Sequence, residues 1–104
     1  MKPPAVSYHG DLIRALRNPE EASAYLNAAL EEGDKDFFLL ALRHVLEAQG
    51  GMTRLARATK LNRVSIYKML GSKGNPGFDS ILRLLKAAGV RFTVTPGQAH
   101  RKAA

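Results

Sequence analysis

The clearest indication of the fold of this 104-residue chain is the segment TRLARATKLNRVSIYKML, residues 53–70. Thr53 is a residue type that caps helix N-termini, and it precedes an amphipathic run over residues 54–59. Asn62 stands in the same relation to residues 63–70. Two short helices joined by a turn of three or four residues form a helix-turn-helix. The sequence therefore predicts this motif in the second half of the chain.

The residues around the turn fit this motif. Leu61 precedes the second cap and Ile66 lies four residues into the second helix, which is the spacing of a hydrophobic staple. Ala56 is small at the position where the two helices cross. Lys60 occupies a turn position where a left-handed backbone is easiest for glycine, so we expect a cost of about 1 kcal/mol there.

The outward face of the second helix carries side chains suited to DNA. In a helix-turn-helix, residues near the start of the second helix contact base edges in the major groove. Arginine suits guanine and valine suits the thymine methyl group. The candidates for base contacts are Arg63, Val64, Ser65, Tyr67 and Lys68. The candidates for phosphate contacts, which fix register without sequence information, are Thr53, Arg54, Arg57, Ser72 and Lys73.

The net charge of +7 is unevenly distributed. Residues 1–50 carry five Lys/Arg and eight Asp/Glu, a net charge of −3. Residues 51–104 carry eleven Lys/Arg and one acid, Asp79, a net charge of +10. A half-domain this basic attracts polyanions, and nucleic acid is the usual one. The alternative is an ordinary helical hairpin with a solvated basic surface and no ligand.

Caps and apolar periodicity predict the remaining helices. Asn18 followed by proline is typical of a helix start, and Gly33 of its end. Asp34 caps the next helix, which is apolar nearly all round and is expected at the centre of the fold. We expect a single all-α domain over residues 11–95, with five to six helices. The predicted segments are a flexible arm 1–10, helices 11–16, 19–32, 35–49, 54–59, 63–70 and 78–88, and a basic flexible tail 96–104.

Residues 90–95 alternate apolar and polar side chains, which predicts one short C-terminal β-strand. A single strand has unpaired edges, and its nearest partner is the same strand of another copy. We therefore expect a homodimer through Val90, Phe92 and Val94. The alternative is an extended tail that lies on its own domain. The helix before this strand is expected to bury a stripe of Phe78, Ile81, Leu82 and Leu85.

The sequence predicts neither catalysis nor a metal or cofactor site. The absence of cysteine excludes disulfides, thiol catalysis and cysteine-ligated metals. His9, His44 and His100 are far apart, and no nucleophile–base pair or phosphate loop is evident. No apolar run approaches the roughly 18–20 residues of a membrane span, and no signal peptide is visible. We expect a cytoplasmic protein that does not associate with membranes.

Several segments resemble the probable addiction-module antidote family, small HigA-like antitoxins with a lambda-repressor-like helix-turn-helix domain. The resemblance covers about residues 10–95. Relative to the family pattern, Lys60 replaces a usual glycine and Asn62 a usual serine. The segments that carry the resemblance are NPEEA (18–22), YLNAALE (25–31), GM (51–52), LA (55–56), LNR (61–63), YKML (67–70), GNP (74–76) and LLKAAG (84–89).

The resemblance implies an antitoxin from a prokaryotic two-gene operon. Its partners would be operator DNA and a small basic toxin that resembles the RelE/HigB ribonuclease class. The charge division fits such a pair of partners, since an acidic half can meet a basic toxin while the basic half meets DNA. Two alternatives remain: a stand-alone prophage-type repressor without a toxin, and a protein-binding inhibitor whose helix-turn-helix is vestigial.

Overall fold

The fold consists of helices that pack around the third one. The computed structural model describes residues 4–71 and 73–97, and within them every regular element is α-helical. The predicted all-α class is confirmed. None of the helices in these two ranges is long and apolar enough to cross a bilayer. The six helices are α1 (Pro4–Ala15), α2 (Pro19–Glu32), α3 (Lys35–Ala48), α4 (Gly51–Thr59), α5 (Arg63–Met69) and α6 (Phe78–Ala87).

The centre of the fold is α3. It packs against α1, α2, α4 and α6, as expected of a helix that is apolar on most sides. Phe37 and Leu40 are exceptions, because each stays half-exposed on its surface. The buried side chains of α3 are Leu39, Ala41, Leu42, Val45 and Leu46.

Local capping signals set the ends of α2 and the start of α3. The Asn18 side chain accepts a hydrogen bond from the backbone N–H of Glu20 at 2.8 Å. Gly33 ends α2 in the left-handed conformation at φ 71°, which favours glycine. Asp34 accepts from the backbone N–H of Asp36 at 3.0 Å and begins α3. All three predicted caps are confirmed.

The first helix begins earlier than the sequence predicts. α1 starts at Pro4, so residues 4–10 of the predicted arm are helical. His9 of this region lies edge-on against the ring of His44 on α3, with 5.7 Å between the ring centroids. Packing on α3 thus extends a helix that has no apolar periodicity of its own at this end. The predicted tail falls outside the described residues from position 98 onward.

The start of α4 also differs from the prediction. Gly50 is the N-cap residue and Gly51 the first helical residue, so Thr53 lies inside the first turn and is not the cap. Gly50 has a φ of 124°, a conformation that glycine adopts readily. This backbone freedom lets the chain turn from α3 directly into α4. The guanidinium of Arg54 donates to the Gln49 carbonyl at 3.1 Å across the same corner.

The predicted C-terminal strand is not formed. Residues 90–97 have no regular secondary structure, and the described ranges contain no strand that pairs with them. The Val90 N–H donates to the Leu85 carbonyl at 3.1 Å, so the segment turns back over the end of α6. Phe92 packs edge-on against Phe78, with 5.8 Å between ring centroids. A β-strand needs a partner ladder, and residues 4–71 and 73–97 of a single copy supply none.

The buried face of α6 is rotated relative to the prediction. Phe78 is 62% exposed and Leu82 is 40% exposed, so their assignment to the buried stripe is wrong. Leu85 is buried and Ile81 packs against the core, as predicted, and Leu84 and Ala88 are buried beside them. At 100° per residue, the centre of the buried stripe lies about a sixth of a turn from the centre of the predicted one. It leaves a C-terminal apolar surface, which we define as Phe78, Leu82, Phe92 and Val94.

Candidate nucleic-acid interface

A three-residue turn, Lys60 to Asn62, joins α4 to α5. Thr59 fixes its entry: its hydroxyl donates to the Leu55 carbonyl at 2.9 Å and accepts from the Leu61 N–H at 3.2 Å. Because Thr59 is buried, both hydrogen bonds are needed to offset the desolvation of its hydroxyl. The sequence reasoning missed this role, since a threonine near a helix end has many possible partners.

Lys60 adopts the left-handed conformation that the sequence predicts. Its φ is 63° and its ψ is 24°, and its N–H donates to the Ala56 carbonyl at 3.0 Å. In residues 4–71 and 73–97 it is the one residue other than glycine with a positive φ. The turn therefore has the expected geometry with an expected conformational cost.

Asn62 begins α5, as predicted. Its side-chain oxygen accepts from the backbone N–H of Ser65 at 2.8 Å. Leu61 and Ile66, the predicted staple, both pack into the core, and Ile66 is fully buried. This pairing of a cap and an apolar anchor holds a helix of seven residues, too short to be stable alone, against α4.

The anchored helix presents most of the predicted base-contacting residues to solvent. Arg63 and Lys68 are exposed, Val64 is 67% exposed, and Tyr67 is 48% exposed. At 100° per residue, these four side chains occupy one half of the helix surface. Ser65 lies at the edge, half-buried. The structure thus brings two cations, an aliphatic side chain and a phenol together on one projecting face.

Four of the five residues predicted to contact phosphates are exposed to solvent. Thr53, Arg54 and Arg57 are exposed on α4, and Lys73 is exposed in the loop after α5. Ser72 lies outside the described residues. All four described residues are accessible to a ligand that approaches from the side of α4 and α5.

Tyr67 lies near a cation that the sequence analysis did not select. A shallow groove between α3, the start of α4 and α5 is lined by Arg43 and Tyr67, together with Glu47, Gly51 and Met52. Arg43 is remote from the motif in sequence and reaches it through the packing of α3 on α4. No local pattern predicts such a neighbour.

The loop after α5 is tied to the acidic half of the chain. The Lys35 ammonium donates to the Gly74 carbonyl at 2.7 Å. A Cβ atom at Gly74 would lie 2.0 Å from the Met69 carbonyl oxygen, so no larger residue fits there without backbone movement. The contact fixes the chain between α5 and α6.

A polar cluster lies where α1, α2 and α3 meet, and its Glu47 also lines the groove beside Tyr67. The Tyr25 hydroxyl and His44 Nδ1 are 2.8 Å apart, and His9 Nε2 is 3.5 Å from a Glu47 carboxylate oxygen. Burial lowers the pKa of His44, and neighbouring His9 and Arg43 lower it further, against an opposing effect of Glu47. Burial also raises the pKa of Tyr25. Within the two described ranges, no histidine and carboxylate group is arranged to hold a metal ion.

Comparison with known proteins places this arrangement in a family. The family model described as "Probable addiction module antidote protein" matches residues 8–96. The chain belongs to this antidote family. The match includes α4, the turn and α5, together with the acidic α2–α3 hairpin, and the family description implies a toxin as the partner of the chain.

A relative in Haemophilus influenzae supports this membership. It is described as an uncharacterized protein and is 33% identical over 84 residues, which covers 81% of this antidote chain and 86% of the relative. No solved structure matches the chain significantly.

Proposed function

We propose that this antidote protein is a DNA-binding antitoxin that represses its own operon through α4 and α5. The observation that carries this proposal is the projecting face of α5. Arg63, Val64, Tyr67 and Lys68 are exposed there on a helix whose start is fixed by the Asn62 cap. The face lies in the half of the chain with a net charge of +10. A helix presented in this way fits the major groove, where its first residues meet base edges.

We further propose a small basic ribonuclease toxin of the RelE/HigB type as the protein partner. Family membership supports a toxin, and the charge of the first half supports a basic one. The chain's acids are concentrated on α2 and α3 and at their junction, with Glu31, Glu32, Asp34 and Asp36 exposed. Such a surface steers a basic partner and leaves α4 and α5 open to DNA. In this proposal the protein acts in the cytoplasm by binding alone, without a catalytic step.

Arg63→Ala provides the test of sequence-specific binding. We expect the wild-type protein to prefer DNA from upstream of its own gene to a shuffled duplex by about 10³-fold or more near physiological salt. Loss of one base-contacting arginine should weaken operator binding by about 1–3 kcal/mol, and should change binding to the shuffled duplex much less. Fluorescence anisotropy with both duplexes measures the two affinities.

Arg17→Ala is the matched control, because Arg17 is an exposed arginine in the acidic half. It should leave the preference for the operator unchanged. Equal wild-type affinity for both duplexes, with a steep salt dependence, would overturn sequence-specific repression. Toxin neutralisation would then remain as the proposed function of the antidote. Co-expression with the product of the adjacent gene tests it separately, and growth arrest despite co-expression would contradict it.

A further inference from the structure

A second basic surface lies between α4 and α6. The groove between α4 and α6, here called the α4–α6 groove, is lined by Arg54, Lys60, Arg83 and Lys86. Small or uncharged residues complete its wall: Ala58, Thr59 and Ala87. Four cations thus face one concave surface that carries no acid. The sequence predicts a phosphate role for Arg54 but none for the other three cations.

The positive charge of this groove is uncompensated. The ion pairs in residues 4–71 and 73–97 involve His9, Arg14 and Lys35, so no groove cation has a carboxylate within 4.0 Å there. Arg83 and Lys86 are three residues apart on α6, a spacing at which like charges repel. The concentration of like charge costs stability unless an anion occupies the groove.

Lys60 gives an independent reason to assign a ligand to the groove. It holds a left-handed backbone at φ 63°, which glycine would adopt without the steric cost. The hydrogen bond from its N–H to Ala56 needs no side chain. What lysine adds at this position is a fourth cation in the groove. Strain that persists in a packed turn points to a function of the side chain.

We propose that the α4–α6 groove binds backbone phosphates of the operator, beyond the base pairs that α5 contacts. This inference rests on the proposed function. Because α4 packs against both α5 and α6, we expect the α4–α6 groove to lie about one helix diameter, ~10 Å, from α5. The major groove is about 12 Å wide, so a DNA strand that borders it would lie at a comparable distance from α5. In this arrangement Lys60, Arg83 and Lys86 contact one DNA strand while α5 enters the major groove.

Replacing the two α6 cations tests the groove. In Arg83→Gln/Lys86→Gln, we expect the slope of log affinity against log salt to fall in magnitude by about 1.8, since each lost phosphate contact removes about 0.9. Operator and shuffled duplex should weaken by the same factor, so the preference for the operator stays as in the wild type. Anisotropy over a salt series measures both quantities.

Two further variants separate phosphate contacts from net charge and from folding. Arg14→Gln/Arg17→Gln removes the same charge from exposed positions in the acidic half, and the slope should not change. Lys60→Gly should reduce the magnitude of the salt slope by about 0.9 without loss of thermal stability. The retained stability excludes misfolding as the cause of the change in slope.

The outcomes distinguish the groove from the proposed function. If the α6 double variant keeps the wild-type salt slope and the operator preference, the groove does not bind phosphates. The proposal of operon repression is then unaffected. An equal loss in the acidic-half control also overturns it, because the effect is then net charge. If the salt slope falls in the α6 double variant but the wild type shows no operator preference, phosphate binding by the groove is supported. Sequence-specific repression is then contradicted. Absence of binding to either duplex overturns both.

Discussion

Lys60 shows at the scale of one residue how a local strain can be retained in a packed turn. The sequence predicts a left-handed position at Lys60, and the φ of 63° confirms it. Lys60→Gly should raise the free energy of unfolding by up to about 1 kcal/mol, because glycine removes the steric cost, offset in part by its larger backbone entropy in the unfolded state. Urea denaturation measures the change.

Lys60→Ala is the control for this prediction. Alanine removes the charge but keeps the Cβ atom, so the strain stays and the stability should remain close to that of the wild type. A Lys60→Gly protein no more stable than Lys60→Ala would show that the left-handed turn carries no measurable strain.

Neighbouring residues show what a sequence can predict at this scale. Asn62 was predictable because a cap depends on the next three residues, and the hydrogen bond to Ser65 lies within that span. Thr59 was not, because its hydroxyl bridges Leu55 and Leu61 across the end of a helix, and many threonines at such positions bond only one of these groups or water. The exposed face of α5 follows from its cap and its buried Ile66.

At the scale of elements, the helix ends that depend on local signals were predictable from the sequence. The features that depend on packing between helices were not. Asn18, Gly33 and Asp34 each act through contacts within a few residues, and all three are confirmed. The early start of α1 and the rotation of α6 depend on distant helices, and the sequence pattern missed both. The predicted strand did not form for the same reason: residues 90–95 alternate apolar and polar side chains, but the described parts of the chain offer no strand to pair with them.

The junction of α1, α2 and α3 should make stability depend on pH. Burial lowers the pKa of His44 below its unfolded value, so the unfolded state binds more protons as pH falls through this range. The contribution of neutral His44 is complete above its unfolded pKa near 6.5 and is lost as pH falls through its lower folded pKa. The thermal midpoint should therefore decrease between pH 7.5 and pH 5.

His44→Gln should reduce this decrease, because glutamine does not titrate. Phe37→Ala, on a half-exposed position of the same helix, should shift the thermal midpoint without altering its pH dependence. A decrease in His44→Gln as large as that of the wild type would show that other groups cause it. Thermal denaturation followed by circular dichroism at each pH gives the comparison.

At the scale of the whole molecule, the charged and the apolar surfaces of the basic half call for different partners. The face of α5 and the α4–α6 groove carry charge, whereas the C-terminal apolar surface carries aromatic and aliphatic side chains with few charges. Val94 at its end is 85% exposed. A helix-turn-helix protein commonly binds two half-sites about 34 Å apart as a dimer. The apolar surface and the unpaired segment 90–95 are therefore where we expect a second copy to bind.

Val94→Glu tests this dimer. Val94 makes so little contact within one copy that the change should leave thermal stability nearly unaltered, whereas at a dimer interface it would bury a charge without a partner. We expect sedimentation equilibrium to show a dimer for the wild type at micromolar concentration and a monomer for the variant.

Thr93→Glu, which adds the same charge at the neighbouring exposed residue on the other side of the alternating pattern, should remain dimeric. Because a monomer contacts one half-site at a time, Val94→Glu should also lose far more affinity for a full operator than for an isolated half-site. A wild-type monomer at these concentrations, or a Val94→Glu dimer as tight as the wild type, would place the contact between copies elsewhere on the molecule.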